Sequence, residues 1–141
     1  MQAVDKMRKR LLAVAAVSLV LGFVACADIV GLGYEDGSYE LQTLNGNNLP
    51  TIVYQDAFEQ DELITETFRI YTDGSYTDDY TLRVTNSSGQ RTSSFRDVGT
   101  YTRYSNSLQF VDGNTGDAFN GDIDGRTLTI TQNGNFYVYR R

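Results

Sequence analysis

The side chains available for chemistry are almost all carboxylates and phenols: the chain has 18 Asp and Glu, 10 Tyr, a single Cys and no His. That inventory excludes a Ser/His/Asp triad, a Cys/His pair, a His-ligated metal and an internal disulfide. Acid/base work by carboxylates needs two of them facing each other. Asp78 and Asp79 are neighbours in a strand-like run, so they point to opposite faces and do not form a pair. Pairing Asp78 with Glu66 has no more support in the spacing than any other choice. Asp112, Asp117, Asp122 and Asp124, interleaved with Gly113, Asn114, Gly116 and Gly121, suggest a calcium loop. The EF-hand pattern fails, however, because Asp117 stands where the sixth-place Gly belongs and no Glu follows at the twelfth. These acids read as turn residues. The expectation is a non-enzyme with no cofactor and no metal.

Two different segments position these groups. Lys6, Arg8, Lys9 and Arg10 precede an apolar run from Leu11 to Ala25, broken only by Ser18 and Gly22 and followed by Cys26. This is the layout of an export signal, with Met1 and Met7 both open as starts. The run is shorter than the roughly 20 residues a spanning helix needs. Phe23-Val24-Ala25-Cys26 resembles the lipobox of bacterial lipoproteins, with Phe where an aliphatic residue is usual. That resemblance implies a diacylglyceryl group on the Cys26 thiol and cleavage just before it, hence a membrane partner through an acyl anchor. Ala25-Cys26-Ala27 read as an A-x-A site would instead release a soluble periplasmic or secreted protein beginning at Asp28. A single Cys placed at the processing boundary favours lipidation. The domain reading is therefore residues 1–25 as signal, 26–36 as tether and 37–141 as the folded domain.

The whole chain carries 12 basic and 18 acidic groups, and four of the former and one of the latter precede Cys26. Eight arginines then face seventeen acids, a net charge of −9 for the mature chain. Such a surface repels phosphate backbones and anionic headgroups, so no nucleic-acid partner is expected. No protein partner is specified by the sequence.

From Gly37 onward no helical spacing is sustained. Val, Ile, Thr, Tyr and Phe fill short segments separated by Asp-Gly, Asn-Gly and Ser-rich punctuation. Strands are predicted near 38–44, 51–55, 62–71, 75–84, 91–102, 107–111, 117–123, 126–131 and 135–140, with a helical turn considered within 56–62. The fold class is all-β: a single antiparallel up-and-down β-barrel of about eight strands. A three-residue Thr72-Asp73-Gly74 loop pairs Ile70 with Tyr76, Phe68 with Asp78 and Ile64 with Leu82. It also gathers Arg69, Thr67, Thr65 and Arg83 with Thr77, Asp79 and Thr81 on a polar face. A two-residue Asp124-Gly125 turn sets Phe119 opposite Ile130 and Gly121 opposite Leu128. At Asn133-Gly134 two registers are open: three loop residues bury Phe136 and Val138, whereas two turn Tyr137 and Tyr139 inward.

Gly37-Ser38-Tyr39, Leu44-Asn45-Gly46 with Leu49-Pro50, Thr72-Asp73-Gly74-Ser75-Tyr76, Gly99-Thr100-Tyr101, Gly125-Arg126-Thr127-Leu128-Thr129-Ile130 and Tyr139-Arg140-Arg141 together resemble small bacterial lipocalin-like lipoproteins. Gly37 and Tyr39 stand where lipocalins carry G-x-W, with Tyr for Trp, and no helix is apparent before the final strand. The resemblance implies a lipocalin-like barrel in the cell envelope, in a group whose functions are mostly unassigned.

The inner face of such a barrel gathers Ile64, Phe68, Ile70, Tyr76, Tyr80, Leu82, Tyr101 and Phe110 with Asp78 among them. These residues either fill the interior or line a cavity for one small ligand. The short domain favours filling. If a cavity forms, its lining is Phe68, Tyr76, Asp78, Tyr80, Tyr101 and Phe110, and its ligand an apolar or amphiphilic small molecule. A filled barrel points instead to an envelope interaction or assembly lipoprotein.

Overall fold

A computed structural model describes residues 37–141, and all of its regular elements are strands. They are β1 (Gly37–Leu44), β2 (Asn47–Asn48), β3 (Thr51–Gln55), β4 (Glu59–Ile70), β5 (Ser75–Asn86), β6 (Gly89–Tyr104), β7 (Ser107–Asp112), β8 (Ala118–Asp124), β9 (Thr127–Gln132) and β10 (Asn135–Arg140). Every pairing is antiparallel, in the order β2-β1-β10-β9-β8-β7-β6-β5-β4-β3, and β1 also pairs with β4 from Gly37–Ile70 to Glu40–Thr67. That last pairing closes eight strands into an up-and-down barrel, with β2 and β3 as additions at the sheet's ends. Closure pairs the barrel's own first and last strands in that order, β1 and β4, so that the sheet ends only at β2 and β3. The expected class is borne out. The segments 1–25 and 26–36, with Cys26, lie outside the described residues.

Local turn chemistry sets the registers. The loop Thr72-Asp73-Gly74, with Gly74 at φ 84, pairs Ile70 with Tyr76 and Phe68 with Asp78. The expected pairing of Ile64 with Leu82 is corrected. A β-bulge between Leu63 and Thr65 puts Leu63 opposite Leu82, so Leu63 rather than Ile64 is buried. The extra residue of a bulge shifts everything beyond it by one, which period-two reading along a single strand does not reveal. The Asp124-Gly125 turn is also corrected. Its central residues are Gly125 and Arg126, so Asp124 pairs with Thr127, Ile123 with Leu128 and Gly121 with Ile130. Gly125, the first central residue, has φ 57, the demand of a type II′ turn. The two-residue slip leaves the inward face unchanged, because side chains alternate with period two.

At the last hairpin Asn133 and Gly134 both have positive φ, 51 and 80, as a two-residue type I′ turn requires. Tyr137 and Tyr139 therefore face inward opposite Ile130 and Leu128, and Phe136 is exposed. Segment 56–62 forms no helical turn. Asp56 Oδ1 accepts the backbone N–H groups of Phe58 and Glu59, both at 2.7 Å, and so tightens the β3–β4 connection. Asp112 plays the same part beyond β7, accepting the N–H groups of Asn114 at 2.7 Å and Thr115 at 2.8 Å.

The lower half of the barrel is solid. Phe68, Tyr76, Phe110, Phe119 and Tyr139 form an aromatic stack among Leu108, Leu128 and Ile130. Phe110 and Phe119 stack at 5.0 Å, and Phe68 meets Phe110 edge-on at 5.2 Å. Tyr101 extends this packing and donates its O–H to the carbonyl of Tyr71 at 2.8 Å. Gly99 makes room for the stack, since a Cβ there would lie 2.2 Å from the Val111 carbonyl oxygen and 2.5 Å from the Tyr76 ring. Gly99→Ala is expected to cost about 2 kcal/mol through overpacking, read as a lower midpoint in urea with an unchanged m value.

Candidate functional site

Above the aromatic stack the interior is not filled. A recess of about 310 Å³, open to solvent, is lined by apolar Leu44, Val53, Leu63 and Leu82, and by polar Glu66, Asp78, Tyr80, Asp97, Gln132, Asn133 and Tyr137. Its volume lies at the small end of the range for small-molecule sites, ~300–1,000 Å³.

Strand parity brings the polar groups together. Asp78 on β5 faces Phe68 across one ladder and Asp97 across the other, while Tyr80 faces Glu66 and Phe95. Residues paired across a ladder share a face, so all of these project inward. Asp79, one residue away, points outward and accepts hydrogen bonds from Arg69 and Arg96. The expected polar face is there, with Arg83 donating to Glu62 at 2.7 Å. Tyr80 lies stacked on Phe95 at 5.3 Å.

Two carboxyls are held wholly or partly away from water, Glu66 as a buried side chain and Asp78 as a half-buried one. Glu66 is only 7% exposed and accepts the O–H of Tyr139, the residue that joins the packed stack to the recess. Burial pushes the Glu66 carboxyl up to about 7, against the opposing pull of that hydrogen bond. Burial, then the neighbouring charges of Glu66, Asp97 and Asp79, push Asp78 up to about 9. Asp78 Oδ1 is closed off from solvent and has no hydrogen-bond partner. The hydroxyl of Tyr139 is raised well above its ordinary value by burial and by Glu66 and Asp78.

The six expected lining residues thus divide along the barrel axis. Phe68, Tyr76, Tyr101 and Phe110 are in the packed half. Asp78 and Tyr80 line the recess. Sequence reasoning named Glu66 only as an arbitrary partner for Asp78, left Tyr137 to an open hairpin register and missed Asp97. Alternation from Phe68 and Ile70 places Glu66 on the inner face, and alternation from Tyr101 through Gly99 does the same for Asp97. Tyr137 depended on the hairpin register. Neither a family model nor a curated protein matches the sequence.

Proposed function

We propose that this is an exported, lipocalin-like protein, anchored in a bacterial envelope by acylation of Cys26, that holds one small amphiphilic molecule at the mouth of its barrel. The recess carries this reading, because it combines an apolar wall with a few convergent polar groups, the usual composition of a small-molecule site. The lipobox-like segment before Cys26 supports the anchor. Retention then depends on several acyl chains, because one chain alone binds a membrane only marginally.

Intact mass of the chain purified from a bacterial envelope tests both parts. Under denaturing conditions a mass matching acylated Cys26 is expected; a chain beginning at Asp28 overturns the anchor. Under native conditions an additional non-covalent mass is expected, and its absence across repeated preparations counts against the carrier. Tyr80→Ala is expected to weaken uptake about tenfold, the equivalent of ~1.4 kcal/mol, with a smaller change in stability. The reverse result marks Tyr80 as packing.

One observation favours a second reading, docking of a protein partner. β3 ends the sheet with only β4 beside it, and Ile52, Tyr54 and the 84% exposed Phe58 stand on or next to it. An unpaired edge next to exposed apolar side chains is a template for another strand.

A further inference from the structure

We infer that the molecule held in the recess is a cation: an amphiphile whose ammonium head sits at Glu66 and Asp78 and whose apolar tail lies along Val53, Leu63 and Leu82. This rests on the reading of the recess as a small-molecule site and specifies the ligand's chemistry.

The lining decides the sign of the charge. Its ionisable groups are the carboxyls of Glu66, Asp78 and Asp97 and the phenols of Tyr80 and Tyr137, with no arginine among the described lining residues. A fatty-acid carboxylate would meet three carboxyls and no cation to balance its charge. Asp78 and Asp97 oppose each other directly across the β5–β6 ladder, an arrangement that is destabilising whenever both are ionised. A positive head between the carboxyls reverses that repulsion.

The hydrogen-bond inventory supplies a second reason. Asp78 Oδ1 is sealed from solvent without a donor, although buried polar atoms are normally paired. An ammonium brings donors where an alkyl chain or a carboxylate brings none. A divalent metal is a poorer match, since among the described residues no three His, Cys, Asp or Glu side chains gather as a metal site requires. The Tyr80 and Tyr137 rings, which line the recess, add π faces of the kind that attract ammonium groups.

Binding must then compete with protons. In the empty recess Glu66 and Asp78 hold protons to higher pH than free carboxyls do, because they are buried. Asp97 on β6, Tyr80 on β5 and Tyr137 and Tyr139 on β10 face them, while Asp79 lies on the opposite face against Arg69 and Arg96. A cation displaces a proton, so its affinity rises with pH.

The test holds the tail constant and varies the head. The exported chain in lipid nanodiscs is titrated calorimetrically with octylammonium, octan-1-ol and octanoate at pH 6 and pH 8, with protein-free nanodiscs run in parallel. Octylammonium is expected to bind about tenfold tighter than octanol, as a charge-assisted hydrogen bond implies. It should also bind more tightly at pH 8 than at pH 6, with octanoate weakest. The Glu66→Gln, Asp78→Asn double variant is expected to bind all three within about threefold of one another, and each single variant to fall between. Octanol binding as tightly as octylammonium, or a double variant that keeps the preference, overturns the cation while leaving an amphiphile site standing. Failure of all three probes to bind overturns the site itself.

Discussion

Asp78→Asn is expected to raise the melting temperature at pH 8 by roughly 10 °C, on the basis of ~2 kcal/mol and ~4–8 °C per kcal/mol for a domain of this size. The gain should shrink toward pH 4. Burial and neighbouring carboxylates push Asp78 up to about 9, and burial pushes Glu66 up to about 7. A carboxyl whose folded value is raised binds more protons in the folded state than in the unfolded one across the interval between the two values. Stability therefore falls as pH rises, from about 4 up to about 9, and the wild type weakens through neutral pH. Asparagine carries no ionisable proton, so the variant escapes Asp78's share of that slope and keeps the part due to Glu66. Asp79 acts in the opposite sense: its hydrogen bond from Arg96 lowers its carboxyl, so its stabilisation is lost as pH falls. The wild type should accordingly show a stability maximum on the acid side of neutrality. Thermal denaturation followed by circular dichroism from pH 4 to pH 9 checks both the slope and its change. A lower melting temperature for Asp78→Asn at pH 8 would mean that Asp78 is ionised and stabilising in the fold.

A saturating ammonium ligand should produce a related effect by another route. If a cation sits at Glu66 and Asp78, it stabilises their ionised forms and recovers part of the stability lost at pH 8. Asp78→Asn and the ligand would then act on the same loss and would not add, because sites in direct contact couple. Additive effects would place the ligand elsewhere.

How far these features were legible in the sequence depends on the range of the interaction that sets them. Alternation of Phe68, Ile70, Tyr76 and Tyr80 about the Gly74 loop marked an inner face, and the loop's own chemistry fixed that register. The barrel followed from repeated short strands and turns. The bulge at Ile64 left no mark, because an extra residue is stabilised by what β5 presents to β4 rather than by anything local. Which of Gly125 and Arg126 are central to their turn depends on the same kind of cross-strand pairing. The recess was half visible. Asp78 and Tyr80 were placed inward, but nothing along the chain separates an inward residue in the solid half from one at the mouth. Glu66 could be named but not placed, for a different reason: a charged residue among apolar alternates reads as a break in pattern until the Tyr139 hydroxyl that donates to it is in place.

Phe110→Ala should be the most damaging single substitution in the described barrel, costing about 3–5 kcal/mol. Phe110 is fully buried and stacks on Phe119 at 5.0 Å, and it meets Phe68 at 5.2 Å and Tyr76 at 5.4 Å edge-on. Removing its ring leaves a void walled by other rings. These are held by their own ladders and cannot collapse inward, and a lining that cannot relax forfeits its dispersion contacts outright. With total stability of ~5–15 kcal/mol expected for such a domain, urea denaturation should show the midpoint reduced by about a fifth or more. The solid half and the recess are separable in this experiment. Below its lowered melting temperature, Phe110→Ala should retain ligand uptake, because Phe110 does not line the recess; Tyr80→Ala should do the opposite. Loss of uptake in Phe110→Ala while the protein is still folded would show that the aromatic stack holds Tyr139, and through it Glu66, in the position the recess needs.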